Sequence, residues 1–192
     1  MRLLIIYFLI PTLSCVCQNF DAGFIGGINM SQISGDGYAG YNKIGMNFGS
    51  YVILPNLKGE NNTKSNNFIK IEMLYSQKGS FENDLNFYKY KLNYISIPIL
   101  YLRELSKKIE IESGLSSNFL VKFYESEKND NPNFFNIDYI LGFVKLLNKN
   151  YKINFRFNHS ITPVREHNSK QKQFFNRGEY SNFISILLYK II

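Results

Sequence analysis

Between Tyr151 and Ile161 the chain alternates without a break in register. Tyr151, Ile153, Phe155, Phe157 and Ile161 share one parity, and Lys152, Asn154, Arg156, Asn158 and Ser160 the other. Successive side chains of a strand point to opposite sides, so a period of two sorts these residues into an apolar and a polar face, where a helical period would mix them. Seven further segments repeat the pattern: Phe20–Gln32, Lys43–Ile53, Phe68–Lys78, Phe87–Leu102, Lys108–Phe123, Phe134–Leu147 and Tyr180–Ile191. Clusters of Asn, Gly, Ser and Lys separate them, as turns require. Each exceeds the ~5–6 residues of an average globular strand and meets the ~9–11 that a tilted strand needs to cross a bilayer. The expected fold is all-β: an eight-stranded antiparallel up-and-down transmembrane β-barrel with both chain ends on the periplasmic side.

Composition agrees with strands. Aromatic residues make up 16% of the 192, all Tyr and Phe, and hydrophobic residues 45% against 19% charged. Rings suit a pleated, half-buried surface. Alternation alone does not say which face meets lipid, but volume does. An eight-stranded barrel has an interior just wide enough to be filled by side chains. The apolar parity carries Ile44, Met46, Phe48, Ile69, Met73, Phe135, Leu141, Phe143, Phe155 and Phe157, which would overfill it. The polar parity carries Gly23, Gly27, Gly45, Gly49, Gly114 and Gly142, which suit a crowded inside. The apolar face is therefore expected outward.

The inward parity also collects charge of both signs: Lys43, Lys70, Lys152 and Arg156 against Glu72, Glu110, Glu112 and Asp138. Four opposite pairs would neutralise one another in a narrow lumen, where an unpaired charge is costly. Such a cluster reads as a structural plug rather than an ion path, because open aqueous channels belong to barrels of about 16–18 strands. Slipping the Tyr151 strand by one residue would place Lys152 and Arg156 in lipid, at roughly 2–4 kcal/mol each near the midplane.

With the first strand running outward, the external loops are Ile33–Asn42, Gly79–Asn86, Tyr124–Asn133 and Thr162–Glu179. The internal turns are Leu54–Asn67, Arg103–Lys107 and Asn148–Asn150. Two of these three turns are short, as periplasmic turns of such barrels are. Tyr88, Tyr90, Phe123, Tyr124, Phe134 and Phe135 are expected in an outer aromatic girdle, and Tyr101, Tyr151 and Tyr189 in an inner one. Pro98, which lacks an amide proton, predicts a bulge near Ser96–Pro98; the register after Tyr94 stays open.

The first residues read as an export signal: Arg2, an apolar run from Leu3 to Leu13 broken by Pro11, and Ser14-Cys15-Val16-Cys17 ahead of Gln18. This assigns residues 1–17 to a signal peptide cut after Cys17 and residues 18–192 to the barrel domain. Cleavage removes both cysteines, and with them disulfide, redox and Cys-based zinc chemistry. Loss of Arg2 leaves 21 basic and 15 acidic residues, a net charge of +6. The basic residues are spread over loops and strand faces with no dense run, so nucleic acid is not an expected partner; outer-membrane lipid is.

Four stretches then carry a resemblance. Ala22-Gly23-Phe24-Ile25-Gly26-Gly27-Ile28-Asn29-Met30-Ser31 comes first, followed by Glu72-Met73-Leu74-Tyr75-Ser76-Gln77-Lys78-Gly79. Leu92-Asn93-Tyr94-Ile95-Ser96-Ile97-Pro98 and Glu112-Ser113-Gly114-Leu115 complete the set. In this order and spacing the chain resembles the outer-membrane β-barrel family of Bacteroidetes that includes PorT-like proteins. The resemblance implies a cell outer membrane location, a barrel, and for some members a link to protein secretion. Such barrels often end in an aromatic residue; this chain ends Tyr189-Lys190-Ile191-Ile192.

No catalytic, cofactor or metal site is expected. An enzyme needs a nucleophile, a base and a group that orients the base, and the two histidines, His159 and His167, have no such constellation. Two histidines without a spacing motif are also a poor metal set. Ser34-Gly35-Asp36-Gly37 reads as a tight turn. The remaining candidate is a contact surface in the loop Thr162–Glu179, where Arg165, Lys170, Lys172, Phe174, Phe175 and Arg177 combine positive charge with two rings, the residue types that anchor interfaces. The expected function is a non-catalytic outer-membrane barrel whose external loops bind a protein or glycan partner or whose wall joins an assembly. The alternatives are a soluble periplasmic lipocalin-like carrier of an apolar ligand and a membrane-embedded hydrolase or acyltransferase.

Overall fold

Alternating segments of this length pair edge to edge until no free edge remains, and the chain does so. In a computed structural model that describes residues 20–37, 40–54, 66–82, 88–126, 131–166 and 178–192, the strands are β1 (Asp21–Ser34), β2 (Lys43–Leu54), β3 (Asn67–Glu82), β4 (Tyr88–Ser106), β5 (Ile109–Glu125), β6 (Phe135–Leu146), β7 (Tyr151–Ser160), β8 (Arg165–Glu166) and β9 (Gly178–Ile191). Each barrel strand pairs antiparallel with the next in the order β1-β2-β3-β4-β5-β6-β7-β9, and β9 returns to β1 from Gly23↔Ile191 to Ser34↔Tyr180. The eight long strands close a barrel. The two-residue β8 adds a short pair to the upper end of β9, Arg165↔Glu179 and Glu166↔Gly178. The expected signal segment, residues 1–17, lies outside the described residues.

Burial is inverted relative to a water-soluble protein. Outward residues such as Phe24, Met46, Phe48, Met73, Leu141 and Phe155 are exposed, while inward Asn29, Asn47, Lys70, Glu72, Asn154 and Arg156 are buried. A bilayer is the surrounding that stabilises such a belt, and closure leaves no strand edge unpaired within it. Among the described residues no helix is long and apolar enough to cross a membrane, so the crossing is made by strands.

Several strands are longer than the alternation alone suggested: β1, β3, β5 and β9 extend at the external end, and β4 runs to Ser106 at the periplasmic end, through most of the expected turn Arg103–Lys107. β3 runs on to Glu82, so Gly79-Ser80-Phe81-Glu82 belong to the sheet and not to an external loop, and β5 runs on to Glu125. Gly79 sits at φ 145°, turned out of the regular ladder, and both its N–H and its carbonyl bond the Ser31 hydroxyl at 3.0 Å. A side chain there would strike the Tyr90 carbonyl. This kink tilts the top of β3 onto β1, past the shorter β2.

Beyond the kink the faces exchange meaning. Tyr90, Leu92 and Tyr94 are fully buried inside the barrel, not arrayed in an outer girdle, and even-numbered residues stay inside through Ser96, Pro98, Leu100 and Leu102. The physical reason is height. Where the strands rise above the lipid their outer surface meets water, so Lys89 and Lys91 turn outward and the rings turn in. They pack with Ile33, Val164 and Leu120 into an apolar lid.

The expected bulge at Ser96–Pro98 is also displaced. Pro98 keeps its register with Ser116 of β5, while the β3 ladder lapses between Ile99↔Ile71 and Ser96↔Leu74 and resumes unshifted. The missing amide therefore faces β3. The β4–β5 ladder shifts elsewhere, once lower, between Glu104↔Glu110 and Ser106↔Ile109, and once higher, between Asn93↔Lys122 and Tyr94↔Leu120, where Val121 is left as an extra residue in β5. An inserted residue reverses the parity of everything after it. As a result Glu125 pairs with Tyr90 on the inside instead of facing out.

Candidate functional site

The barrel interior is built from side chains that β3, β5, β7 and β9 send inward at matching heights. Glu72 lies at the centre. Arg156 grips it with two parallel bonds, Nη1 to Oε2 at 2.9 Å and Nη2 to Oε1 at 3.0 Å, and Lys70 Nζ stands 2.9 Å away. Glu112 closes the square, accepting from Lys70 Nζ at 2.7 Å, Arg156 Nε at 2.8 Å and Asn154 Nδ2 at 2.7 Å. Two cations thus face two carboxylates with every charge buried. Paired, hydrogen-bonded charges are the only ones a low-dielectric interior tolerates cheaply.

Tyr189 belongs to this square and not to an inner girdle. It is 2% exposed, and its hydroxyl donates to Glu72 Oε1 at 2.8 Å while accepting from Arg156 Nη2 at 2.8 Å and Asn154 Nδ2 at 3.2 Å. Lys70 Nζ lies 4.5 Å from its ring centre. Gly142 makes room for the square: a Cβ there would sit 2.4 Å from Glu112 Oε1.

A second pair sits above it. Asp138 is joined by Lys78 at 2.6 Å, with Asn136 Nδ2 donating to the same carboxylate at 2.7 Å. Lys78 was not among the charges assigned to the lumen from sequence, and Lys43 was. Lys43 has the inward parity but the wrong height, at the external rim, where its Nζ donates to the Ile44 carbonyl at 2.6 Å. Toward the periplasmic mouth Lys152 and Glu110 pair at 2.6 Å. The sequence signal that could have found Lys78 is its parity with Lys70 and Glu72 on the same strand.

At the top, Arg165 reaches in from β8. Its Nη2 donates to Glu125 at 2.7 Å and its Nη1 to Glu179 at 3.4 Å, and its guanidinium lies 4.6 Å from the Tyr90 ring centre. At 6% exposure Arg165 is a clasp over the apolar lid and not the exposed anchor that its place in a long basic loop suggests. The lid leaves the chain between β7 and β8 little freedom: Val164 is inserted beneath it, and its N–H donates to the Glu179 carbonyl at 2.8 Å. Lys170, Lys172, Phe174, Phe175 and Arg177, and His167, lie outside the described residues. His159 faces outward, bonded through Nδ1 to Asn182 and stacked on Tyr180. Among the described residues no cluster of His, Cys, Asp and Glu could hold a metal ion.

Space inside is minimal. The interior cavities lined by the square and its neighbours measure about 20 and 10 Å³, each about the room of a single water. Ligand pockets run to ~300–1,000 Å³, so neither of these two cavities accommodates an apolar ligand of the kind a soluble carrier holds.

An apolar-out, ion-paired-in barrel of eight strands defines a class, the small transmembrane barrel of the outer-membrane type. Among solved structures, the chain is similar to Ail, the attachment invasion locus protein of Yersinia pestis, with 11% identity, a TM-score of 0.50, and coverage of 90% of this chain and 98% of that one. A second structure of the same protein, in complex with the heparin analogue sucrose octasulfate, aligns at 11% identity and a TM-score of 0.49 over 90% of this chain and 99% of that one. What is shared at this identity is the fold. No family model and no curated protein matches the chain.

Proposed function

We propose that this chain is a non-catalytic integral protein of the bacterial outer membrane, exported by residues 1–17, whose barrel is a closed anchor and whose external end engages a protein or glycan partner. The observation that carries this reading is the filled lumen. The two cavities around the ionic square, about 20 and 10 Å³, do not favour transport through the barrel. What remains for function is the external rim and the outer wall. Arg165 holds the segment 162–166 down on the rim, so the residues that follow it, with Lys170, Lys172, Phe174, Phe175 and Arg177, start from a fixed point above the membrane. Positive charge and aromatic rings are the residue types that anchor interfaces. The PorT-like resemblance favours a partner within a secretion or assembly complex, and the proposal includes that role.

Deletion of residues 167–177, which spares the Arg165 clasp, tests it. The deleted protein should keep the heat-modifiable gel shift of a folded barrel and lose its partner in affinity capture from detergent-solubilised outer membranes. Unchanged capture would remove the loop from the proposal. Release of the protein in osmotic shock fluid without detergent would remove the membrane.

A further inference from the structure

One cavity of the described residues lies outside the lumen. It is a groove of about 670 Å³ on the outer wall, across β4, β5, β6, β7 and β9. Its sides are Ile111, Leu141, Phe143, Phe155 and Phe157, all exposed on the lipid-facing parity. They form two registered rows, Ile111↔Phe143↔Phe155 and Ser113↔Leu141↔Phe157. Ser113 and Gly142, the two smallest residues lining it, open the hollow between the bulkier neighbours. The Ser113 hydroxyl is satisfied by the Tyr139 hydroxyl at 3.1 Å, so the groove presents no unmet polar group from that pair to hydrocarbon.

Its periplasmic end is mainly basic, with Glu104 as the exposed acid beside Arg103. Arg103 lines that end on the outward face below Tyr101, and Lys145 follows Phe143 on the same face of β6. Lys107 and Lys108 form the β4–β5 turn, and Lys149 lies in the turn after β6. Below the Val121 bulge, the outward positions of β4, β5, β6 and β7 contain no Asp or Glu. Of the carboxylates near this end, Glu112, which also lines the groove, and Glu110 have the lumen parity and are held by Lys70 and Arg156 and by Lys152, and Glu104 stands opposite Glu110 in the ladder. Among the described residues no carboxylate lies within ion-pair distance of Arg103.

We propose that this groove is a binding site for one anionic glycerophospholipid, an acyl chain lying between the Ile111 and Leu141 rows and the phosphate held by Arg103 and Lys145. The volume falls in the ~300–1,000 Å³ range of small-molecule pockets, and long basic side chains at a membrane surface place their charge at headgroup level while their stems lie along apolar surface. The inference rests on the membrane-spanning reading of the barrel and goes beyond it, since a featureless belt would bind any lipid alike.

Native mass spectrometry of the full barrel released from detergent micelles tests it, with palmitoyl-oleoyl-phosphatidylglycerol and the corresponding phosphatidylcholine as probes. The wild type should retain a single phosphatidylglycerol at least tenfold more readily than phosphatidylcholine. Arg103→Gln with Lys145→Gln should abolish that preference, and Leu141→Trp, which fills the groove, should lower retention of both. Equal retention by the wild type, or a preference that survives the double substitution, overturns the proposal. So does a groove occupied by a second copy, seen as a dimer that Leu141→Trp disrupts. The heat-modifiable gel shift is read on every sample. A wild type without it after reconstitution into vesicles speaks against membrane insertion itself, whereas a folded barrel without lipid preference speaks only against the groove. If Leu141→Trp does not fold, the charge substitutions decide alone.

Discussion

Replacing Arg156 by methionine removes one of the two cations that touch both carboxylates of the central square. In the wild type its guanidinium contacts Glu72 at 2.9 and 3.0 Å and Glu112 at 2.7 Å, with side-chain exposures of 2% for the arginine and 0% for both acids. Methionine restores much of the volume but leaves two buried carboxylates facing Lys70 alone. Removing one partner of a buried ionic group costs about 3–5 kcal/mol, which is between about two and four orders of magnitude in the folding equilibrium. The double variant Arg156→Met with Glu72→Gln returns the square to neutrality, leaving the Lys70–Glu112 pair at 2.7 Å. It should therefore be more stable than Arg156→Met by up to ~3 kcal/mol, the upper end of coupling between contacting residues. Urea unfolding of the protein refolded into lipid vesicles, followed by the heat-modifiable gel shift, measures both. A loss below ~1 kcal/mol for Arg156→Met, at the level of a surface ion pair, would refute the reasoning. Costs that simply add in the double variant would refute it too.

Gly142→Val should destabilise the barrel by about 1–3 kcal/mol, because its Cβ enters the space of the Glu112 carboxylate; the same urea titration reads it, and a neutral result would mean the carboxylate has room to move. Phe157→Arg should cost about 2–4 kcal/mol if it lies near the midplane, against about 0–1 for Ile161→Arg near the membrane surface; equal costs would argue against the lipid-facing assignment of these two exposed residues. Purified protein in planar bilayers should give no unitary conductance in salt, since the interior cavities are about 20 and 10 Å³, and stable current steps would contradict the plugged lumen.

Period two made the strands and their inner and outer faces legible wherever a strand lies within the bilayer, because there lipid and lumen demand opposite side chains. It failed in two physical situations. Above the membrane the outer surface is wet, so Tyr90, Leu92 and Tyr94 read as the greasy exterior while they form the lid, and no residue in β4 marks where the lipid ends. Height is the other gap. Parity places Lys43 and Lys78 on the inside equally, but which of them stands level with Asp138 depends on the stagger between strands, a property of closure that no single strand encodes. Tyr189 was ambiguous for a related reason, since a phenol suits an interface and an ionic lumen alike. The bulge at Val121 had no local signature, and Pro98 drew attention to the wrong rung of the ladder.

The square of Lys70, Glu72, Glu112 and Arg156 takes its members from β3, β5 and β7, and its capping hydroxyl from β9. None of these strands is a ladder neighbour of another except β7 and β9, so apart from Lys70 and Glu72 within β3 the charges meet only across the bore. An unfinished sheet, with its last strand still missing, exposes two acids and two bases whose contacts between strands have not yet formed. Completion of the seam between β9 and β1 is thus also the step that quenches them, which ties insertion of the final strand to the electrostatics of the whole tube and makes half-built barrels poor residents of a membrane.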